Sequence, residues 1–300
     1  MSISSIVLVL VATLIWGSGF IAIELGLNHF PPLLFIALRF IISAVPLVFF
    51  IDRAGIKWRW IISIGLAVGV FFYVFWYLAM WYGMPAGMAA LLLQTQFIFT
   101  TLLSILLFRK YPNIVQIFAM AVCSIGLYII ARERLEGITP FLPFLIIMGG
   151  AASWGLVHII MQKAGKMNQL RLMVWVSLIP PIPLLILSYI FESNQLDIIL
   201  NMDHTALLAL LYTGIPGTVI SFAIWGHLIQ KHGAVTIAPF SMLIPVFAIV
   251  LSIAFLNEDF SVLSKIGASV IFLGLLVNAF NVQLSTVFAR RSKKRPLAPL

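Results

Sequence analysis

Ten stretches of mostly apolar residues follow one another along this chain, at roughly 4–24, 32–51, 60–82, 86–108, 113–131, 140–161, 171–191, 205–229, 234–256 and 264–283. Few features restrict a fold as strongly. About 20 apolar residues are needed to cross the hydrocarbon of a bilayer as a helix, and every backbone N–H and C=O must then find its partner within the segment or in a closed barrel. These stretches are continuously apolar and do not alternate with period two, so a barrel is excluded. Hydrophobic residues make up 62% of the chain, charged residues 9%, and mean hydropathy is +1.13, far from the make-up of a soluble domain. The expectation is an all-α integral membrane protein of ten transmembrane helices joined by short loops. The first stretch lacks a basic start and is too long for a typical signal core, so it reads as a retained span.

Charge placement gives the orientation. The formal net charge is +9, but the basic residues are not spread evenly. With the N-terminus inside, the cytoplasmic loops and tail hold Arg53, Lys57, Arg59, Arg109, Lys110, Lys163, Lys166, Arg171, Lys231, Arg290, Arg291, Lys293, Lys294 and Arg295. The opposite loops hold Arg132, Arg134 and Lys265, with every carboxylate except Asp52 on that side. The positive-inside rule then implies both termini in the cytoplasm of a cell whose inner, or plasma, membrane carries the protein. The basic tail at 285–300 and the Trp58–Arg59–Trp60 cluster fit contact with anionic head groups. A nucleic-acid partner is not expected, because the basic run is short and adjoins a span. The lone Cys123 lies inside the fifth stretch, so neither an intramolecular disulfide nor a thiolate metal cluster is expected, and no pattern calls for a cofactor.

The chain also repeats itself. "LSILLF" at 103–108 matches "LSIAFL" at 251–256, and Gly126-Leu127 matches Gly274-Leu275, at an offset of 148; nearer the start of each half, Trp16-Gly17 falls on Trp154-Gly155 at 138. The reading is two five-helix repeats, 1–137 and 138–284. Five is odd, so the second repeat is inverted, the architecture that lets one half rock against the other around a central site.

"WGSGF" in the first span, "LRF" at 38–40, "MPAGMAALL" at 84–92 and "LNEDF" at 256–260, in this order over two repeats, resemble the drug/metabolite transporter superfamily in its EamA-type branch. The resemblance covers roughly 5–283 and implies export of small metabolites, often amino acids, from the cytoplasm. One departure is Arg109-Lys110 at the end of the fourth span, where the family usually has an acidic pattern; the second half keeps Glu258.

Individual residues sharpen the expectation. Trp16, Phe20 and Glu24, and likewise Trp154, His158 and Gln162, recur every fourth position and share a helix face. Two tryptophans at matched depth point to a wet cavity, with close packing beside Gly17 and Gly155 as the alternative. In the third span Tyr73, Tyr77 and Trp81 are one turn apart; Tyr77 falls on Trp225 at the offset of 148. A tyrosine hydroxyl facing hydrocarbon would lack a partner, so Tyr73 and Tyr77 are read as cavity residues. On a regular helix Gln94 and Gln96 point about 200° apart, so Gln94 is assigned to the substrate and Gln96 to an interhelical hydrogen bond. The candidate substrate-binding set is Trp16, Tyr73, Tyr77, Gln94, Trp154, His158 and Trp225. Arg39 is expected to pair with Glu24 as a structural or gating contact.

A secondary transporter of amino acids or related zwitterions, working by alternating access, is the preferred reading. A channel is the alternative, and a membrane-embedded enzyme a more remote one, since no catalytic constellation and no P-loop is present. No carboxylate sits at mid-depth and His158 is the only mid-span group that titrates near neutrality, so facilitative transport or exchange is expected. The oligomeric state is left open.

Overall fold

The computed structural model describes residues 1–135, 141–165 and 167–293, without the side chains of 134, 234, 235 and 281–293. The junction expected at 137/138, Lys166 and the tail from Lys294 lie outside the described residues, as do the side chains of Arg134, Arg290, Arg291 and Lys293.

All regular structure among the described residues is helical. The long apolar helices are α1 (Ile3–Leu27), α2 (Pro32–Val48), α3 (Trp58–Trp81), α4 (Ala86–Phe108), α5 (Ile114–Leu135), α6 (Phe141–Ala164), α7 (Gln169–Phe191), α8 (His204–His232), α9 (Ala238–Leu256) and α10 (Val262–Lys293). Nine of them are long and apolar enough to cross a membrane; α2, with 17 residues, is shorter than the usual span. Pro31 and Pro32 start α2, where the missing N–H costs nothing, and a turn through Phe50 and Ile51, both bonded back to the Leu47 carbonyl, prolongs its far end. The chain is a multi-pass membrane protein, and its outward faces carry the apolar residues lipid requires: Phe49, Phe50, Leu106 and Tyr189 are all more than three-quarters exposed.

Small residues set the packing between helices, as they do where lipid supplies no hydrophobic drive to association. A methyl group at Gly17 of α1 would lie 2.6 Å from Phe247 Cβ of α9, and one at Gly155 of α6 would lie 3.0 Å from Phe99 Cβ of α4. Phe247 and Phe99 are 148 positions apart, so the two contacts are the same contact made twice. Gly65 of α3 packs on Ile179 and the Val176 carbonyl of α7, while Gly214 of α8 packs on Ile42 and the Arg39 carbonyl of α2. Helices α5 and α10 meet at Gly126, Gly267 and Gly274, and Cys123 Sγ donates to the Ile271 carbonyl at 3.4 Å.

Backbone irregularities recur in the same way. Helix α3 widens into π geometry over Leu66–Phe72 and α8 over Ile215–Ile220; such bulges in otherwise regular helices frequently mark functional sites. Helix α4 breaks at Gln94–Thr95, and α9 opens with a 3-10 stretch, Ala238–Met242, before continuing as α-helix. Arg109 ends α4 in the left-handed region at φ 54°, and Asn257 ends α9 there at φ 52°. The following amides, of Lys110 and Glu258, return to the carbonyls of Ser104 and Ser252, each at 3.3 Å.

Carboxylates from distant loops cap two helix starts. Glu192, just past α7, accepts from the Leu33 and Leu34 amides at 2.7 and 3.0 Å and so caps the first turn of α2. Glu258 does the same for α4, accepting from Ala86 at 2.5 Å and Gly87 at 3.2 Å. At the other end of the molecule Asp52, just past α2, pairs with Arg171 in the first turn of α7.

Candidate functional site

A cavity of about 340 Å³ lies among α1, α2, α3, α4, α6, α8 and α9. Aromatic rings make most of its wall. Trp16 of α1 stands edge-on to Phe222 and Trp225 of α8, with ring centres 5.2 and 5.1 Å apart. Its indole Nε1 donates to the Gly217 carbonyl at 3.0 Å, inside the π stretch where Pro216 contributes no N–H. On the far side Trp154 of α6 packs against Phe72 of α3 at 4.4 Å and against the His158 ring at 5.9 Å. His158 Nδ1 shares a hydrogen bond of 3.1 Å with Thr100 Oγ1.

Trp16, Tyr73, Gln94, Trp154, His158 and Trp225 from the expected set all lie on this wall. Tyr77 does not. It is fully buried behind Arg39, where its hydroxyl accepts from Arg39 Nη1 at 2.9 Å. The hydroxyl needs a partner, as the sequence argument held, but finds it in the protein and not in a cavity. Gln162, the third member of its stripe, is exposed and lies beyond the wall.

The expected separation of Gln94 from Gln96 fails for a physical reason. The 200° argument assumes a regular helix, and α4 is broken between them. Thr95 Oγ1 bonds back to the Leu92 carbonyl at 2.6 Å, the chain turns, and both amides reach the cavity. Gln96 Nε2 donates to Gln94 Oε1 at 3.3 Å, so its hydrogen bond is within α4 and not between helices. Gln94 Nε2 donates in turn to the Ser241 carbonyl of α9 at 3.0 Å. Gln96 Oε1 is left buried without a protein partner.

The pairing of Arg39 with Glu24 is also overturned. Arg39 is 3% exposed, and its guanidinium donates to Tyr73 at 2.8 Å, to Tyr77, and twice to Thr218 Oγ1 at 3.0 and 3.2 Å. Thr218 passes its own proton to the Thr213 carbonyl five residues back, a bond that the π geometry of α8 makes possible. The Tyr73 ring also lies 4.2 Å from Arg39 Cζ, a cation–π contact. Glu24 is elsewhere, with Oε2 buried and unbonded. Matching two residues by depth could not reveal that their side chains leave their helices in different directions.

Phe72, Trp76, Thr213, Gly217 and Ser241 also line the wall and were missed as site residues. Pro216 inside an otherwise helical pattern was the one sequence signal near Gly217 and Thr218.

A second hollow of about 260 Å³ shares Gln94, Gln96, His158 and Ser241 with the cavity and continues past Thr100, Thr101, Gln116 and Asn278. It forms a polar approach from the end where α4 finishes and α9 begins. The opposite end is plugged: Phe30, Leu34, Phe35, Tyr77, Met84 and Met88 are all essentially inaccessible. A further hollow, about 650 Å³ between α4 and α6, is lined by Phe99, Leu102, Leu106 and Leu156 among others. It is nearly all apolar and suits an acyl chain, not a polar solute. Among the described residues no group of three His, Cys, Asp or Glu side chains could hold a metal ion.

A family model described as "EamA-like transporter family" matches residues 3–132 and 142–280. Two curated proteins called "Probable amino-acid metabolite efflux pump", from Escherichia coli (strain K12) and Salmonella typhimurium, are each 31% identical over 284 residues, covering 92% of this chain and 95% of theirs. "Uncharacterized transporter YoaV" of Bacillus subtilis is 26% identical over 278 residues, 89% of this chain and 94% of that protein. A solved crystal structure with 19% identity aligns over 98% of this chain and all of its own, with a TM-score of 0.58, a likeness of fold.

Proposed function

The chain belongs to the EamA-like transporter family and is a membrane transporter of small metabolites; from that premise we propose that it exports amino acids or related zwitterions across the inner membrane by alternating access. The observation that carries this reading is the central cavity. Both halves of the chain contribute to it, its aromatic walls and paired amides suit a small solute with an apolar side chain, and among the described residues a polar approach leads in at one end while buried side chains fill the other. A passage open at one end and plugged at the other is what a carrier needs and a channel does not. The relatives named as amino-acid metabolite efflux pumps favour this class of cargo.

In this reading ten helices span the bilayer, α2 included, as two inverted repeats, 1–137 and 138–284, with both termini in the cytoplasm. The doubled Gly–Phe contact, the paired π stretches, the paired left-handed caps and a family model matching two stretches of similar length all support it. The polar approach then faces the cytoplasm, the side from which an exporter loads.

Purified protein in liposomes tests the proposal. Counterflow of labelled amino acid should saturate and should accelerate when the same solute is present on the far side. Flux proportional to concentration, carried as ohmic current, would show a channel instead.

A further inference from the structure

Arg39 is out of balance with its surroundings. A guanidinium keeps its charge in a protein, this one is almost wholly removed from solvent at the cavity wall, and all of its hydrogen-bond partners are neutral hydroxyls. No carboxylate among the described residues forms an ion pair with it. Buried charges in folded proteins are normally paired, because a lone one loses its hydration without return. The nearest candidate by depth, Glu24, leaves one oxygen unbonded and is not spent on Arg39.

We propose that Arg39 is a substrate-binding residue whose missing counter-ion is a carboxylate of the transported solute. The assignment rests on the cavity being the transport site and narrows its cargo to molecules carrying one carboxylate. Three features support it. Gly217 adjoins the guanidinium, since a methyl group there would stand 4.0 Å from Arg39 Nη2, and both Gly217 and Arg39 line the cavity. Tyr73 shares that wall, and its hydroxyl can turn to donate to the same anion. On the α4 side of the same cavity Gln96 Oε1 is a buried acceptor with no protein partner, an atom whose free lone pairs suit an ammonium group. A solute with several negative charges would find only one cation on this wall, so a monocarboxylate or an α-amino acid is the class that fits.

The role as a mere rivet joining α2, α3 and α8 is the competing explanation, and it predicts no preference for anions. The test compares acids with their amides by thermal shift of purified protein, using the twenty L-amino acids, acetate to hexanoate, and the primary amide of each. At least one acid is expected to stabilise the wild type while its amide binds tenfold more weakly or worse. Arg39→Gln should abolish that difference. Because Arg39→Gln also strands the hydroxyls of Tyr73, Tyr77 and Thr218, Gly217→Ala provides the second variant: its methyl meets only the Tyr212 carbonyl at 3.4 Å and Nη2 at 4.0 Å, ordinary contacts that leave the fold intact. It should weaken binding of acids several-fold and leave amides unaffected. Binding of short fatty acids without amino acids, lost in Arg39→Gln, would sustain the carboxylate assignment and remove the zwitterion reading. Equal binding of acids and amides, no response to any acid, or a preference for acids that survives in both variants would overturn the assignment; in the first case the cavity would still be a transport site.

Discussion

Trp16 Nε1 reaches across from α1 to the Gly217 carbonyl of α8 at 3.0 Å, tying the cavity's aromatic wall to the one stretch of α8 that has left α-helical geometry. Replacing Trp16 with Phe keeps a ring beside Phe222 and Trp225 but removes the donor from the Gly217 carbonyl. A hydrogen bond of this kind is worth about 0.5–1.5 kcal/mol net. Substrate affinity of Trp16→Phe, measured as the half-saturating concentration for counterflow, should therefore fall by roughly 2- to 13-fold. An unchanged value would show that the bond serves the fold alone.

The Gly17–Phe247 contact leaves no room for a side chain. Gly17→Val would overpack the α1–α9 seam at a cost of about 1–3 kcal/mol, read as a lower melting temperature in detergent. Gly19 is the control: it lines the cavity, and nothing lies within 4 Å of a methyl built there, so Gly19→Ala should melt with the wild type. Equal destabilisation by both changes would mean that close packing is not what Gly17 supplies.

Glu192 and Asp52 occupy comparable places past α7 and α2, but their surroundings differ. Glu192 holds two backbone amides and the Ser188 hydroxyl, whereas Asp52 and Arg171 are 73% and 38% exposed. Loss of a helix cap costs about 0.5–2 kcal/mol; an exposed ion pair contributes at most about 1 kcal/mol. Thermal unfolding should thus show Glu192→Ala clearly less stable than Asp52→Ala.

His158 sits on the cavity wall with Thr100 as its partner, and no carboxylate lines that wall among the described residues. Liposomes with equal amino acid on both sides are therefore expected to show no net accumulation when a pH gradient is imposed. Accumulation that vanishes in His158→Ala would make His158 the coupling residue and end the facilitative reading. Accumulation lost only in Glu24→Gln would move that role to Glu24.

Much of this molecule could be read from its sequence because bilayer physics is blunt. Apolar length predicts where the helices run, and the fourfold spacing of Trp16 and Phe20, or of Trp154 and His158, predicts that each pair shares a face. What stayed hidden depended on departures from ideal helices. No Gly or Pro marks the break at Gln94–Thr95, so an argument built on 100° per residue put Gln96 on the wrong side. The π stretch that lets Thr218 receive Arg39 is likewise invisible to an ideal-helix argument, with Pro216-Gly217 as its local sign. The caps made by Glu192 and Glu258 join residues more than 150 positions apart, a distance that no local pattern spans.

Lys110 stands where the second half has Glu258, and a cation cannot accept from backbone amides as Glu258 does from Ala86 and Gly87. The plugged end accordingly has carboxylates bonded into helix caps, Glu192 on α2 and Glu258 on α4, while the carboxylate at the comparable place on the other end, Asp52, meets Arg171 and solvent. Under the proposed alternating access, unequal latches give the two half-cycles unequal barriers, with release of the plugged end as the slower step. Detailed balance forbids such a bias from choosing the net direction of flow. What the asymmetry sets, on that proposal, is tempo, and which way the unliganded protein waits.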